Sequence, residues 1–161
     1  QGDVAMVFAL EKMGAQIEFI DGGIRSSLKP GQKLSGCTAD LSEMPDMSLT
    51  LAALASVAHG KTILTSARIL KFKESDRKSV IVKELSKLGA GVEVSSDEDT
   101  ITITPTAGLK AADIDTYEDH RVAMAVGILT LVEPAIVIND PDCVSKTWPD
   151  FFAELARYQA S

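Results

Sequence analysis

Three short segments of the sequence place lysine, arginine or histidine at or near positions where helices are predicted to begin. They are Lys71-Phe72-Lys73-Glu74-Ser75-Asp76-Arg77, Asp119-His120-Arg121 and Asp142-Cys143-Val144-Ser145-Lys146-Thr147-Trp148-Pro149. A helix N-terminus is the positive end of the helix dipole, so cations there are unfavourable unless an anion shares the site with the free backbone N–H groups. The whole chain has a formal net charge of -7, which makes such groups of cations unusual here. The pattern predicts a site for phosphate and carboxylate groups, built from three helix starts.

Two carboxylates are candidates for proton transfer at this site. Glu74 lies between Lys73 and Arg77, which one helical turn brings near the same face. Asp46 stands at the start of another predicted helix. A carboxylate close to several cations is held ionised and can accept a proton from a bound hydroxyl. The plainer alternatives are a solvated, charged first turn for the segment around Glu74 and a simple N-cap for Asp46.

The other two segments also have plain alternatives. Arg121 directly precedes an apolar helix, which favours a functional position, although the side chain can also reach solvent past the helix end. His120 can be a histidine at the edge of the core. Lys146, in a loop ordered by two prolines, can be an ordinary surface lysine.

The chain contains an internal repeat of about half its length. Residues 10–18 match residues 85–93 at an offset of 75, and the apolar run that begins at Asp46 matches the run that begins at Asp119 at an offset of 73. Common solenoid repeats are shorter, so duplication of a whole supersecondary unit explains the pattern better. Asp46 and Asp119 are both predicted N-caps and are expected at the same end of the domain.

Each copy is predicted to contain a helix that ends at a glycine, two strands joined by a turn, a second helix and a closing strand. The predicted strands are 16–20, 24–28 and 62–64 in the first copy, and 91–95, 100–104 and 136–138 in the second. Residues 149–158 are predicted to form the first helix of a third copy whose strands are absent.

The second helix of each copy is predicted to be buried. Residues 47–58 and 122–132 are apolar on nearly all sides and offer no polar face to solvent. Both are well short of the roughly 20 residues that span a membrane. We therefore expect helices inside and half-polar strands outside, an inside-out α/β (α+β) architecture.

Composition and motifs exclude several classes of function. The acidic balance argues against nucleic-acid and membrane-surface partners. Cys37 and Cys143 are too few for a disulfide framework or a metal site and fit a reducing cytoplasm. The sequence has no Walker loop, no dinucleotide-binding glycine fingerprint, no metal-ligand spacing and no serine nucleophile elbow. It begins at Gln1 in a predicted helix, which indicates a piece of a longer chain.

The cationic segments resemble the C-terminal signatures of the 5-enolpyruvylshikimate-3-phosphate (EPSP) synthase family. The matching blocks are 71–77, Asp119-His120-Arg121-Val122-Ala123-Met124-Ala125 and 140–152, and the resemblance extends over essentially the whole chain. It implies an inside-out α/β barrel of the enolpyruvyl transferase type, built from repeated βαβαββ units. Residues 1–161 would then be most of the C-terminal-half domain of a two-domain enzyme, with about two unit copies and the first helix of a third.

The resemblance also implies a reaction and the residues that perform it. The family transfers the enolpyruvyl group of phosphoenolpyruvate to the 5-hydroxyl of shikimate 3-phosphate and releases phosphate, a step towards chorismate and the aromatic amino acids, without metal or organic cofactor. Asp46 would take the proton of the attacking hydroxyl, and Glu74 would protonate the methylene carbon. Asp46 and Lys73 would contact shikimate 3-phosphate. Phosphoenolpyruvate would be held by Arg77, Arg121 and Lys146, with His120 beside them.

Two positions depart from the family pattern, and two alternative functions remain. Ile69 stands where some members have an asparagine that touches the phosphorylated substrate, and Trp148 replaces the more usual phenylalanine. The alternatives are UDP-N-acetylglucosamine enolpyruvyl transferase, whose signatures are not seen around 73–77 and 119–121, and an anion-binding half-domain without catalysis. The expected partners are the two substrates and the missing domain, with no nucleic acid and no membrane, in a monomeric cytoplasmic parent. The fragment alone is expected to be inactive.

Overall fold

The same order of elements occurs twice in the computed structural model, which describes residues 2–159. The α-helices are α1 (Ala5–Lys12), α2 (Ser48–Val57), α3 (Arg77–Lys87), α4 (His120–Gly127) and α5 (Phe151–Gln159). The strands are β1 (Gln16–Ile20), β2 (Gly23–Ser27), β3 (Thr38–Asp40), β4 (Thr62–Thr65), β5 (Gly91–Val94), β6 (Ile101–Thr104), β7 (Asp113–Ile114) and β8 (Val137–Ile138). Short 3₁₀ helices occupy Gly2–Val4, Pro45–Met47, Ala67–Phe72, Ile128–Leu131 and Pro141–Lys146. The order α-β-β-β-α-β runs from α1 to β4 and again from α3 to β8, and α5 follows.

Helices α2 and α4 form the centre of the fold. Seven of the ten α2 residues are buried, among them Leu51, Ala52 and Ala55, and six of the eight α4 residues are buried. These helices share one aliphatic core with the inward faces of the strands, including Leu64 and Ile103. Because the apolar residues leave neither helix a solvent-facing side, burial is the stable solution. The predicted inside-out arrangement is confirmed.

The outer wall is a four-stranded sheet that joins the two copies of the repeat. Its strand order is β3-β4-β6-β5, with β3 and β4 parallel and the other neighbours antiparallel. In β6, Ile101 and Ile103 are buried while Thr102 and Thr104 are partly exposed, so the strand alternates between core and solvent as its sequence predicted. The hairpin β1–β2 and the parallel pair β7–β8 form two further two-stranded sheets.

Two strands were not predicted, and α4 ends earlier than predicted. Strands β3 and β7 have three and two residues and stand at matching positions in the two copies. Each begins the parallel crossover that α2 or α4 completes. The α4 helix ends at Gly127, and the predicted stretch to Val132 continues only as the 3₁₀ turn Ile128–Leu131.

Helix α3 begins later than predicted. We expected it to start at Lys73, but its first residue is Arg77. Asp76 is the N-cap, because its carboxylate accepts a hydrogen bond from the backbone N–H of Ser79. Lys73 has an extended backbone at the end of the 3₁₀ turn Ala67–Phe72. Lys73 and Arg77 therefore do not meet through a helical turn, and another group must bring them together.

No helix among residues 2–159 combines the length and the apolar character that crossing a bilayer requires.

Candidate functional site

The site is centred on the guanidinium of Arg77, the first residue of α3. Its side chain is 0% exposed and binds carboxylates from three separate parts of the chain. Nε donates to Asp119 at 2.9 Å, one terminal nitrogen donates to Asp46 at 2.8 Å, and the other donates to Glu74 at 2.7 Å. A rigid planar fork of this kind fixes the direction of each carboxylate as well as its distance. Arg77 thus sets the relative positions of the two candidate proton-transfer groups.

Asp46 brings two further cations to the same place. Lys73 Nζ lies 3.3 Å from Asp46 Oδ1, and an Arg121 terminal nitrogen lies 3.6 Å from Asp46 Oδ2. Arg121 also donates to the backbone carbonyl of Asp46 at 3.4 Å. Asp46 therefore links Lys73 and Arg77, which do not lie on one helical turn because α3 begins only at Arg77. The predicted clustering of Lys73, Arg77 and Arg121 with Asp46 is therefore present, although by a different route.

Asp46 is not the N-cap that the repeat predicted. It lies in the 3₁₀ turn Pro45–Met47, and the N-cap position of α2 is Met47, which makes no side-chain capping bond. The Asp46 carboxylate is instead drawn to Arg77, because a buried guanidinium needs charged partners more than a helix end needs a cap. Helix α2 therefore begins at Ser48 without a capping hydrogen bond from the Asp46 side chain.

Asp119 is the site residue that the sequence analysis treated only as a cap. It does cap α4, since it accepts the backbone N–H of Arg121 at 2.9 Å. It is also 0% exposed, and it binds Arg77 and the hydroxyl of Ser75 at 3.0 Å. The sequence signal for this role was that Asp119 occupies the same repeat position as Asp46. In the structure both carboxylates bind the Arg77 guanidinium.

One side of the cluster is open to solvent. The side chains of Asp46 and Glu74 are 39% and 40% exposed, in contrast to the buried Asp119. Lys146 Nζ is 3.9 Å from Glu74 on this side, in the last turn of the 3₁₀ helix Pro141–Lys146. Lys146 therefore follows a helical turn and does not begin one, contrary to the prediction for the third segment. Its long, exposed side chain can move towards an incoming anion.

His120 lies beside this cluster, inside the protein. It is the first residue of α4, it is buried, and its Nδ1 has no hydrogen-bond partner among residues 2–159. Burial, aided by the charges of Arg121 and Lys146 and opposed by Asp119, lowers the pKa of the His120 imidazole. The plain alternative was a histidine at the edge of the core with both ring nitrogens hydrogen-bonded. The neutral His120 imidazole, whose Nδ1 lacks such a bond within the described part of the chain and lies next to the cations, does not match that alternative.

The cations of the cluster hold Asp119 and Asp46 ionised. Burial acts to raise the pKa of Asp119, but the hydrogen bond and charge of Arg77, with bonds from Arg121 and Ser75, outweigh it and lower that pKa. Partial burial likewise acts to raise the pKa of Asp46, and hydrogen bonds from Arg77 and Lys73 together with the charge of Arg121 lower it.

The net charge of the site is small. Four cations, Lys73, Arg77, Arg121 and Lys146, face three carboxylates, Asp46, Glu74 and Asp119. The remaining formal charge of +1 falls on the exposed side, where the lysines and Arg121 lie. An anion can bind there by charge-assisted hydrogen bonds, while Asp46 and Glu74 are placed to accept or donate protons at its edge.

The two positions that depart from the family pattern lie on the surface near the site. Ile69 is exposed in the 3₁₀ turn that leads to Lys73. Trp148 is partly exposed and makes an edge-on contact with Phe151, with 5.4 Å between the ring centroids. No group of three or more His, Cys, Asp or Glu in the described part of the chain is arranged to hold a metal ion.

Comparison with known proteins agrees with the resemblance seen in the sequence. The profile of the family described as EPSP synthase (3-phosphoshikimate 1-carboxyvinyltransferase) matches residues 1–155. A 3-phosphoshikimate 1-carboxyvinyltransferase of Shewanella denitrificans is 46% identical over 157 residues, which cover 98% of this chain and 36% of the relative. One from Shewanella baltica is 43% identical over 159 residues, covering 99% of this chain and 36% of the relative. The chain thus spans little more than a third of the length of these relatives.

Solved structures show the same fold. An EPSP synthase structure from Acinetobacter baumannii superimposes with a TM-score of 0.75 at 25% sequence identity, covering 97% of this chain and 38% of the other. A second structure of EPSP synthase from that organism gives 0.74 at 22% identity and supports the fold alone. With a profile match over almost every residue and relatives above 40% identity, the chain belongs to the EPSP synthase family.

Proposed function

We propose that this chain is part of an enzyme that transfers the enolpyruvyl group of phosphoenolpyruvate to the 5-hydroxyl of shikimate 3-phosphate and releases phosphate. The observation that carries the proposal is the pair of partly exposed carboxylates, Asp46 and Glu74, held on one buried guanidinium. They are flanked by the exposed Lys146 and the partly exposed Lys73 and Arg121. A reaction between two anionic substrates that moves one proton off a hydroxyl and another onto carbon needs this combination of groups.

Asp46 is the general base of the proposed mechanism. Its lowered pKa keeps the carboxylate ionised near neutral pH, so it can accept the proton of the attacking 5-hydroxyl. Lys73, 3.3 Å away, would contact shikimate 3-phosphate on the same side. Asp46 would therefore both orient the hydroxyl and remove its proton.

Glu74 is the proposed acid/base group for the methylene carbon of phosphoenolpyruvate. It shares Arg77 with Asp46, so both carboxylates lie at one edge of the cluster. Lys146 is close to Glu74 and Arg121 is close to Asp46, which would place the donor's phosphate and carboxylate between these cations. His120 would complete the phosphoenolpyruvate side.

Arg77 can contribute to phosphoenolpyruvate binding only if it exchanges partners. Its guanidinium is buried and already binds three carboxylates. Asp119 is buried with it, whereas Asp46 and Glu74 reach solvent and can swing away. We infer that arrival of the substrate displaces one of the two exposed carboxylates, which is then free to act on the substrate.

The chain would supply one wall of the active site. We propose that residues 1–161 form one domain, most of the C-terminal half of a two-domain parent, with about two unit copies and the first helix of a third. The parent would be a monomeric cytoplasmic enzyme without a cofactor, and its other domain would supply the second wall. Enolpyruvyl transfer needs both substrates aligned and shielded from water. The isolated chain is therefore expected to bind anions without turnover.

Steady-state kinetics of the full-length parent test the proposed function. Asp46→Asn and Glu74→Gln should lower kcat by about 10²–10⁴-fold, the usual contribution of general acid–base catalysis, with smaller changes in KM. Arg121→Ala should mainly raise the KM for phosphoenolpyruvate, because it removes a ground-state contact. Glu18→Gln on the exposed β1–β2 hairpin is the matched control and should match the parent.

The assay should follow phosphate release with both substrates varied. If the Glu74→Gln enzyme turned over at the parent rate, the acid/base role of Glu74 would be wrong. Equal losses in the Glu18→Gln control would show that the effects are not specific to the site.

A further inference from the structure

Glu84, in α3, carries a carboxylate that is buried away from the site. Its side chain is 1% exposed. One oxygen accepts the hydroxyl of Tyr117 at 2.6 Å, and the other accepts the backbone N–H of Asp115 at 3.2 Å and lies 2.6 Å from Lys87 Nζ. A buried carboxylate with this many partners fixes whatever it binds. Here it binds the segment that leads directly to Asp119.

That segment has an unusual backbone. Tyr117 and Glu118 have φ angles of +55° and +57°, so two successive residues that are not glycine adopt the left-handed conformation. Residues with a Cβ avoid this region, and they persist there only where surrounding contacts require it. The next residue is Asp119, whose backbone N–H donates to Thr116 at 2.9 Å across the turn. The direction of the Asp119 carboxylate therefore depends on a strained turn.

Helix α3 makes several of the contacts that hold this segment. Besides the Glu84 bonds, Lys87 Nζ donates to the carbonyl of Asp113 and to the carboxylate of Asp115, each at 3.0 Å. Lys83 Nζ lies 5.3 Å from the centroid of the Tyr117 ring, within the range of a cation–π contact. One face of α3 thus holds the segment on one side, while β8 and Asn139 hold residues 113–115 on the other.

Arg77 and Glu84 are seven residues apart, about two helical turns, and so share a face of α3. Arg77 binds Asp119 at one end of the strained segment, and Glu84 binds Tyr117 and Asp115 at the other. The helix acts as a rigid spacer between the two attachments. If the attachment at Glu84 is released, the contact of Lys83 with the Tyr117 ring remains, but the hydrogen bond that fixes the Tyr117 hydroxyl is lost. Tyr117 is then held less firmly in the left-handed conformation that directs Asp119 to Arg77.

We propose that Glu84 is a positioning residue of the site: through the Tyr117 hydroxyl it holds the left-handed turn 117–118 and so aims Asp119 at Arg77. The expected effect of Glu84 on catalysis rests on the proposed function. The expected effect of Glu84 on the Arg77–Asp119 hydrogen bond does not rest on it, because that bond can be measured without any substrate.

The direct test is the Arg77 Nε–H signal in NMR spectra of the isolated chain. This proton is buried and bonded to Asp119, so it should be shifted and slow to exchange with solvent. Tyr117→Phe removes only the hydroxyl, and Glu84→Gln removes the charge at constant shape. Each should speed exchange by about threefold to tenfold, the factor expected for loss of one ordinary hydrogen bond.

Two further variants separate positioning from general stability. Leu85→Ala removes core packing from the same helix and none of the hydrogen bonds to residues 115–119, so it should lower the melting temperature and leave the Arg77 signal unchanged. Adding Glu118→Gly to Tyr117→Phe should restore slow exchange in part, because glycine adopts positive φ without strain.

The functional readout is the full-length parent, in which Tyr117→Phe should lower kcat/KM while Leu85→Ala should not at temperatures where both are folded. An Arg77 signal that is the same in Tyr117→Phe, Glu84→Gln and the unmodified chain would overturn the proposal. Failure of the parent to use phosphoenolpyruvate would instead contradict the proposed function, and the Arg77 measurement would still stand.

Discussion

At the scale of single residues, Arg77 shares its charge among three carboxylates that differ in burial. The Arg77–Asp119 pair is wholly buried, whereas Asp46 and Glu74 are open to solvent. Removing one partner of a buried pair leaves an uncompensated charge inside the protein, while exposed pairs contribute little. Asp119 therefore stabilises the cluster, and the two exposed carboxylates keep the freedom that chemistry requires.

Asp119→Asn should lower the free energy of unfolding by about 3–5 kcal/mol, because Arg77 then lacks its buried counter-charge. Glu18→Gln breaks an ion pair of similar length, 2.8 Å to Arg25, but an exposed one, and should cost about 0–1 kcal/mol. Urea unfolding of both variants at pH 7 measures the difference. Similar small losses in the two variants would show that the buried pair is not the anchor.

The decrease of stability at acidic pH should also depend on Asp119. The folded-state pKa values of Asp119 and Asp46 are lowered, so their contribution is complete above the unfolded value of about 3.9 and is lost as pH falls below it towards the folded values. Stability of the unmodified chain should therefore fall as the pH drops below about 5. Asp119→Asn should flatten this slope without abolishing it, because other carboxyl groups also have lowered pKa values: Asp40, Asp97, Glu98 and Asp115. An unchanged slope in unfolding experiments would contradict the assignment.

The residues that lie together at the site were easier to predict from the sequence than the contacts that hold them together. Residue types and helix starts were enough to single out Asp46, Glu74 and the cations, because those choices rest on local charge pattern. The burial of Arg77 depends on Asp119, 42 residues away, and on Asp46, 31 residues away, so no local pattern contains it. For the same reason Asp46 was expected to cap α2.

At the scale of elements, β3 depends on the close approach of two backbones. Gly36 precedes β3, its N–H donates to the carbonyl of His59 at 2.8 Å, and β3 then pairs with β4. A Cβ at position 36 would lie 2.0 Å from the carbonyl oxygen of Lys61 and 2.7 Å from that of Gly60. These are backbone atoms, which cannot relieve the clash by a change of rotamer. Only glycine therefore fits at position 36, in the segment that leads to β3 and Asp46.

Gly36→Ala should therefore destabilise the protein by at least about 1–3 kcal/mol, the usual cost of overpacking. Gly23→Ala is the matched control, since a Cβ there meets nothing within 4 Å. Thermal or urea unfolding of the two variants gives the comparison. A Gly36→Ala protein as stable as the Gly23→Ala protein would mean that the loop at Lys61 yields easily.

Strands could be predicted from the sequence where the alternation of polar and apolar residues extends over several residues. Strand β1 has its predicted bounds, and β6 has the predicted alternation, because a regular pattern over four or five residues is a local signal. Strands β3 and β7 have too few residues to show a period and exist because a neighbouring parallel strand pairs with them. Their matching positions in the two copies were the only hint.

At the scale of the whole molecule, two small sheets have free edges. Within residues 2–159, β2 pairs with β1 alone and β8 pairs with β7 alone. Apolar side chains are exposed beside these edges, with Phe19 67% exposed and Val137 51% exposed. In the proposed parent the missing part of the domain would cover them. In the isolated chain they are free to pair with another copy.

The isolated chain should fold cooperatively and associate weakly. The shared core of α2 and α4 should give a single thermal transition followed by circular dichroism. Sedimentation should show a mean mass that rises with concentration, and Phe19→Lys should reduce that rise, whereas Lys29→Ala, which lies beyond the end of β2, should not. A molten, dye-binding chain without a transition would show that the missing strands are needed for the fold.

The central claim is that Arg121 and Lys146, with Arg77, Glu74 and Asp46 beside them, form one wall of a phosphoenolpyruvate site. Titration of the isolated, isotope-labelled chain with phosphoenolpyruvate, followed by NMR, tests it most directly. Two charge-assisted hydrogen bonds would give a dissociation constant of roughly 1 mM in this open half-site. The largest shifts should fall on these residues and should be lost in the Arg121→Ala, Lys146→Ala double variant. Shifts confined to the β1–β2 hairpin, or unaffected by the double variant, would contradict the claim.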